Sequence, residues 1–249
     1  MRLARTLRDL VNELGARGAV LYALDRTIQR FRLPLRVRSY LLVDQPIPER
    51  RTLNRRRAVS YVTRSVLRND PTLAAMPLEP QTIAFRFDQG AQCYGLFRGD
   101  DLIAYLWLHF HAYDEDEVRV RFEPRPAATT CWDFDVYVHP KHRLGTAFLK
   151  LWDDVNAELY AAGIRHTISR ISAFNLNSQR SHRRLGATVV GRVDVLRLGR
   201  VQLLMSTLRP RIHVSWRERQ RPVVAVPAGT TPVEGGQKQD PLRNPAAPV

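Results

Sequence analysis

Long apolar runs are missing from this sequence: none approaches the ~20 consecutive apolar residues that a membrane-spanning helix needs. The opening residues, MRLARTLRDLVNELGARG, hold neither an uninterrupted apolar stretch nor a small-residue cleavage site. No secretory signal is expected there, and the chain reads as cytoplasmic. Cysteine is nearly absent. Cys93 and Cys131 are not in C-x-x-C or metal-ligand spacing, so neither a disulfide framework nor a structural zinc site is expected, and no metal is assigned. The G-x-G-x-x-G and G-K-[ST] phosphate loops are lacking, which sets dinucleotide and nucleoside-triphosphate readings aside. Specific nucleic-acid binding is not expected either, because no helix-turn-helix or RNP signature appears and aromatics do not interleave with the basic runs.

Acid is the scarce charge. Lys and Arg number 39 against 24 Asp and Glu, a net charge of +15, with a pI near 10.9. Such a balance suits an anionic partner: nucleic acid, an acidic membrane surface or a phosphorylated ligand. A coding bias that writes arginine wherever a solvated cation is tolerated would give the same number.

What is present is enough apolar residue, 44%, to build a core. Leu3, Leu7, Leu10, Val11 and Leu14 recur at helical spacing, as do Val20, Leu21, Leu24, Ile28 and Phe31 beyond Gly15 and Gly18. Residues 1–35 therefore form an amphipathic helical extension, two short basic helices. They either dock on their own domain or touch an anionic membrane. RVRSYLLV (Arg36 to Val43) is β-rich. RRRAVSYVTRSVLRNDP reads as a helix with Val59, Val62, Val66 and Leu67 inward, stopped near Asn69-Asp70-Pro71. TIAFRF, QCYGLFR and LIAYLWLHF alternate like strands, the last two joined at Gly99-Asp100-Asp101 as a hairpin. An acidic loop (DEDE) leads to a short strand with Arg119 and Arg121 on one face. In CWDFDVYVHP, Trp132, Phe134, Val136 and Val138 face one way, and Asp133, Asp135, Tyr137 and His139 the other. A helix from about Gly145 to Ala162, a strand IRHTISRISAF, a short helix closed by Gly186 and a hairpin about Gly199-Arg200 complete a domain of residues 36–210. Residues 211–249, Pro- and Gly-rich from Pro222 onward, read as a disordered tail.

Chemistry concentrates at the turn HPKHRLGTA. A strand that ends in small residues and opens a helix leaves backbone N–H groups pointing outward at the positive end of a helix dipole. Gly145, Thr146 and Ala147 allow close approach, and Lys141, His142 and Arg143 add charge. By itself this is an anion cradle or a plain turn.

The loop resembles the pyrophosphate-binding motif of the GNAT superfamily of acyl-CoA-dependent N-acyltransferases, Gln/Arg-x-x-Gly-x-Gly/Ala at the head of a long helix. In HRLGTA, Gly145 and Ala147 take the small positions and His142 the Gln/Arg position, a departure that Arg143 beside it compensates in charge. A second signature, an Asn followed by a Tyr and then Gly-Phe, is matched by Asn175, His182 and Gly186-Ala187, with His for Tyr and Ala for Phe. The resemblance implies an α/β (α+β) fold with a mixed, mostly antiparallel sheet flanked by helices, and acetyl-CoA as co-substrate. It implies that Tyr137, Val138, His142, Arg143, Leu144, Gly145, Thr146, Ala147 and Asn175 hold the cofactor, a backbone N–H near Tyr137 or Val138 stabilising the oxyanion.

The expected reaction is direct attack of a primary amine, acceptor unidentified, on the thioester. His182 takes the place of the acid that protonates the leaving thiolate, or is an exposed helix residue among arginines. Asp133, Asp135 and Glu123 are the base candidates. Asp133 and Asp135 otherwise pair with Arg119, Arg121 or Arg170. His109 and His111 line the acceptor groove or pack, and the DEDE run draws in a cationic amine or is solvated. From another class comes a catalytically degenerate binding module that contacts nucleic acid or an anionic membrane through its Arg-rich N-terminal region.

Overall fold

A computed structural model describes residues 7–53, 60–143 and 145–229. Helix α1 (Leu7–Phe31) is two helices merged across a kink at Gly15, whose φ of 71° breaks the helical path where the sequence expects an interruption. Its buried Ala19 and Ile28, and an edge contact between Tyr22 and Phe174, dock it on the domain. Strand β1 (Leu35–Pro46) follows. Among the described residues no helix is long and apolar enough to cross a membrane.

The expected helix between 55 and 70 is overturned from Val62 onward: Val62–Val66 is strand β2, paired antiparallel with β3 (Gln92–Arg98). Val59 lies outside the described residues. Valines three and four residues apart fit a helix stripe, but β-branched Val62, Thr63 and Val66 also favour a pleated surface. The converse error concerns TIAFRF, which is not a strand but part of helix α2 (Pro80–Asp88). Pro80 opens it at a position where no N–H is needed, and Ile83 and Arg86 share its buried face. β3 and β4 (Asp101–His109) form the expected hairpin.

A short strand β5 (Tyr113–Asp114) leads to β6 (Arg121–Arg125), and β7 runs Thr130–Val138. Arg119 lies before β6 and is buried while Arg121 is exposed, so the two do not share a strand face. Helix α3 (Ala147–Ala161) ends at Gly163, with φ of 88°. Strand β8 (His166–Ser172), helix α4 (Leu176–Arg184), closed by Gly186 at φ 87°, and the hairpin β9 (Thr188–Leu198) and β10 (Val201–Ser206) follow the expected order.

The expected tail from 211 contributes two further strands. β11 (Ile212–Ser215) pairs with β10, and β12 (Val223–Pro227) runs parallel to β6. Averaged composition hides the short alternating run VVAVP, whose Val224 and Val226 are fully buried. Residues 230–249 lie outside the described residues.

Nine strands make one mixed, mostly antiparallel sheet in the order β11-β10-β9-β1-β8-β7-β4-β3-β2, and β12-β6-β5 make a second. Only β7 and β8 in the large sheet are parallel neighbours, since α3 connects them. The sheet packs apolar side chains on both faces. Tyr105, Trp107, Trp132 and Phe134 belong to one cluster, and Leu106, Leu108, Cys131 and Trp152 to the other. Both cysteines are free and buried.

Candidate functional site

β7 and β8 pair only from Thr130↔His166 to Asp133↔Ser169. Beyond that point no further pairs form between them. The cause lies on the other side of β7, where the pairing with β4 shifts: Tyr105 faces Tyr137 and Trp107 faces Phe134, so β7 carries one residue more than its partner. Asp135 takes up the excess with φ of 51°, in the left-handed region that Asp tolerates better than most residues.

This bulge corrects the expected alternation. Trp132 and Phe134 lie on one face with Tyr137, whereas Val136 and Val138 join Cys131 on the other. Asp133 and Asp135, expected side by side, are therefore separated. Asp135 turns to Arg86, Nη1 to carboxylate 2.5 Å, on the Trp107 face. Asp133 sits among the hydroxyls of Thr167 and Ser169, 1% exposed.

The diverging strands enclose a cavity of about 760 Å³. Its walls are β7 from Asp133 to Val136, β8 from Ser169 to Ser172, the loop at Asp116 and Glu117, the segment Met76–Glu79 with α2, and the head of α4. Two arginines organise it. Arg86 donates to Asp135 and, through Nε and Nη2, to Asp116 at 3.1 and 2.8 Å. Arg170 forks onto Glu115 at 2.5 and 2.6 Å. Those carboxylates hold both guanidinium groups well above their ordinary pKa despite burial. The DEDE run is thus no solvated loop: Asp114 pairs with Arg121, Glu115 is buried, and Asp116 and Glu117 border the cavity.

Asp133 differs from all of these. Among the described residues no cation pairs with it, one carboxylate oxygen has no hydrogen-bond partner, and burial pushes its pKa up to about 7 against the pull of the two hydroxyls. The expected partners Arg119, Arg121 and Arg170 are engaged elsewhere. A carboxyl poised near neutrality in a cleft can take or give a proton under physiological conditions.

His182 also reaches the cavity. It is 4% exposed, not a surface residue, with its ring edge-on to Phe148 and Trp152 and Nδ1 3.1 Å from Gln45 Oε1. Desolvation lowers its pKa to about 4, so the ring is neutral at pH 7. Asn175 caps α4 by accepting from Ser178 N–H at 3.1 Å and borders the cavity as well.

The basic turn adjoins this cavity along β7 without lining it. His139–His142 forms a tight turn, with Gly145 N–H donating to His142 C=O at 3.1 Å. His142 Nδ1 lies 3.3 Å from Tyr61 Oη, and Arg143 Nε donates to Val138 C=O at 3.0 Å. Thr146 is the N-cap of α3 but makes no side-chain cap bond, so it leaves the first N–H groups of that helix without a side-chain partner. Gly145 is exposed and its φ is not positive. A Cβ there would meet nothing closer than His142 O at 3.4 Å, so the fold itself does not require glycine. Ala147, the first residue of α3, is buried, and Leu144 lies outside the described residues. Tyr137 and Val138 pair with Tyr105 and Ala104 past the end of the cavity lining.

Glu123 is not brought to the site. It stands on β6 in the second sheet, bound to Arg125 at 2.6 Å. His109 packs: its Nε2 is 2.7 Å from Gln89 C=O, and neither it nor His111 borders the cavity. No group of metal-ligating side chains occurs among the described residues. Sequence reasoning missed Arg86 and Ser169, named Arg170 only as a partner for Asp133 or Asp135, and named Asp116 only within the acidic run. Arg86 carried a signal, a lone cation at helical spacing from Ile83 after a proline.

No protein-family model matches the sequence, and no curated protein matches it. Among solved structures, the chain is similar to a protein of Novosphingobium aromaticivorans DSM 12444 assigned to the GNAT family, with a TM-score of 0.45 and 18% identity over 64% of this chain and 63% of that one. It is also similar to a functionally unknown conserved protein from Staphylococcus epidermidis ATCC 12228, TM-score 0.47 and 11% identity over 69% and 66%. A tandem GNAT protein of the clavulanic acid biosynthesis pathway gives 0.43 and 14% over 65% and 53%. In each case the chain spans less than two thirds of the neighbour's length.

Proposed function

We propose that this chain is an acyl-CoA-dependent N-acyltransferase of the GNAT type, moving an acetyl or other acyl group to a primary amine. The observation that carries the reading is the cavity opened between parallel β7 and β8, followed along β7 by a helix whose first N–H groups have no side-chain cap. The motif resemblance at Gly145, Ala147 and Asn175 supports it independently.

The residues present fit the cofactor. A diphosphate suits the head of α3 beside Arg143 and Lys141, and a glycine that the fold does not need leaves room there. The cavity lies within the range that accommodates an organic ligand, ~300–1,000 Å³. Bound there, acyl-CoA supplies the activated acyl carbon as a thioester.

The chain's own work is proton handling and orientation. The acceptor arrives as an ammonium and reacts only as the free amine, so a proton must leave it. Asp133 is placed to accept that proton, with a pKa of about 7 that makes the exchange nearly balanced at neutrality. Arg86 pairs with both Asp135 and Asp116, which fixes these carboxylates where they can orient a cation. His182, neutral and hydrogen-bonded to Gln45, acts as a fixed hydrogen-bonding group on the wall, and the proton that the leaving sulfur needs comes through protonated Asp133 or solvent.

Titration calorimetry with acetyl-CoA tests the reading. Wild type should bind, and Gly145→Glu, which puts an anion at the proposed diphosphate site, should lose binding by at least about a hundredfold, ~2.7 kcal/mol. A wild type without affinity for acetyl-CoA sinks the enzyme reading. A Gly145→Glu variant that binds normally sinks the loop assignment alone.

A further inference from the structure

Pairing registers bring together residues that are far apart in sequence at one end of the large sheet. Leu35 pairs with Leu198 across β1 and β9, and Leu198 pairs with Val201 across β9 and β10. The Gln202↔Ser215 pair then sets Trp216 beside Val201. Phe31 and Leu33 enter β1 at the same end. Four of these side chains are left in solvent: Phe31 at 65%, Leu33 at 49%, Leu198 at 56% and Trp216 at 63% exposure. Bulky apolar residues scattered singly need no explanation, but a group of them at one corner does.

The charge around them is of one sign. Residues 30–36, 197–201 and 216–219 read RFRLPLR, RLGRV and WRER, and their sole acid is Glu218, which pairs with Arg197 at 3.1 Å. Arg32, Arg36, Arg200, Arg217 and Arg219 are exposed. Two copies meeting through this corner would set like charges against each other. Aliphatic Leu33 and Leu198 between the cations gain nothing from a nucleic-acid backbone. Apolar side chains that insert, an aromatic at the interfacial depth and a surrounding ring of arginines suit an anionic lipid surface.

We propose that this strand-end corner docks the protein on an anionic lipid bilayer. Of the α1 stripe, Ile28 is buried and Leu14, Leu21 and Leu24 are partly covered, while Val11 and Val20 are exposed and Phe31 belongs to the corner itself. β1 runs antiparallel to β8 with Tyr40 opposite Ser172, a residue that borders the cavity. Leu35 stands about 17 Å further along, at ~3.4 Å per residue. The corner and the splayed ends of β7 and β8 thus lie at the same end of the sheet, so docking brings that end toward the bilayer.

The test is co-sedimentation of the full chain with vesicles of phosphatidylcholine alone and of phosphatidylcholine with phosphatidylserine. Trp107, Trp132 and Trp152 are buried, which makes Trp216 an exposed reporter among the four tryptophans. Binding should require phosphatidylserine, weaken with added salt, shift Trp216 emission to the blue and allow its quenching by brominated lipid. Phe31→Ala with Trp216→Ala should lower affinity at least about tenfold. Arg32→Gln and Arg36→Gln should lower it about fivefold each. Unfolding midpoints of these variants should match wild type, because every side chain removed is exposed.

Four results would overturn the proposal. The first is no binding to phosphatidylserine vesicles at low salt, and the second is equal binding to phosphatidylcholine alone. The third is a concentration-dependent dimer that the Phe31→Ala, Trp216→Ala variant abolishes. The fourth is loss in that variant of affinity for duplex RNA while vesicles go unbound. None of them bears on acetyl-CoA binding, so this proposal and the acyltransfer reading fail separately.

Discussion

The cavity and the strand-end corner carry opposite charge on one protein. Glu79, Asp116, Glu117, Asp133 and Asp135 border the cavity against two arginines, while the corner sets several arginines against Glu218. The difference is also one of state. Arg86 is buried and Arg170 is largely so, and both are engaged by carboxylates, whereas the corner arginines stand in solvent. A net charge of +15 is therefore a property of the exterior, and the interior cleft that would meet an amine is acidic. Desolvation explains the contrast: a buried guanidinium must be paired, a solvated one need not be.

The largest effect should come from removing Asp133, the fully buried cavity carboxylate that has no ion pair among the described residues. Asp133→Asn should lower kcat by roughly 10²–10⁴-fold, the usual worth of a positioned acid–base group. In wild type, kcat/KM should rise with pH through about 7 as Asp133 ionises, and the variant should lose that limb. Stability should respond in the opposite sense. The folded-state pKa lies above the unfolded carboxylate value near ~3.9, so the contribution of Asp133 is full below pH ~4 and is lost as pH rises to about 7. At pH 8 the variant, which cannot ionise there, should melt above wild type. A profile unchanged by the substitution removes Asp133 from the mechanism.

Next comes Arg86→Ala, which leaves Asp135 and Asp116 without their shared cation. Breaking a buried pair in this way costs about 3–5 kcal/mol, and urea unfolding should record it. The equivalent change at the corner, Arg217→Ala, should stay within about 0.5 kcal/mol, since substitutions at exposed sites rarely exceed that. If the two losses are alike, the distinction between engaged and solvated arginines fails. Smallest is Glu117→Gln at the cavity rim, where kcat/KM for a cationic acceptor should drop roughly two- to fivefold, in line with ~0.5–1 kcal/mol for a partly exposed charge.

Much of the chain was legible wherever local pattern and pairing agree. The hairpin of β3 and β4, the order β7, loop, α3, β8, α4, and the caps at Gly163 and Gly186 follow from periodicity and glycine placement. The errors fall where a short run fits two periods. Thr82 to Phe87 alternates well enough for a strand, yet Pro80 starts a helix there. Val62 and Val66 fit a helix stripe, yet they edge the sheet as β2. His182 was legible as a candidate by its spacing from Asn175, but not its burial against Phe148 and Trp152, contacts that α3 and α4 make only after folding.

The sequence by itself determined which residues are the candidates for the chemistry: Asp133 and Asp135 on one strand, a basic turn with Gly145, and Asn175 with His182 beyond the next strand. Each depends on neighbours within a few positions, and local propensity is enough to read them. Only the tertiary structure decided how they are used. An extra residue in β7 opposite Tyr105 and Trp107 turns Asp135 to Arg86 and leaves Asp133 alone between β7 and β8. A bulge is a compromise among strands that meet only in the folded sheet, and no alternation within β7 can encode it.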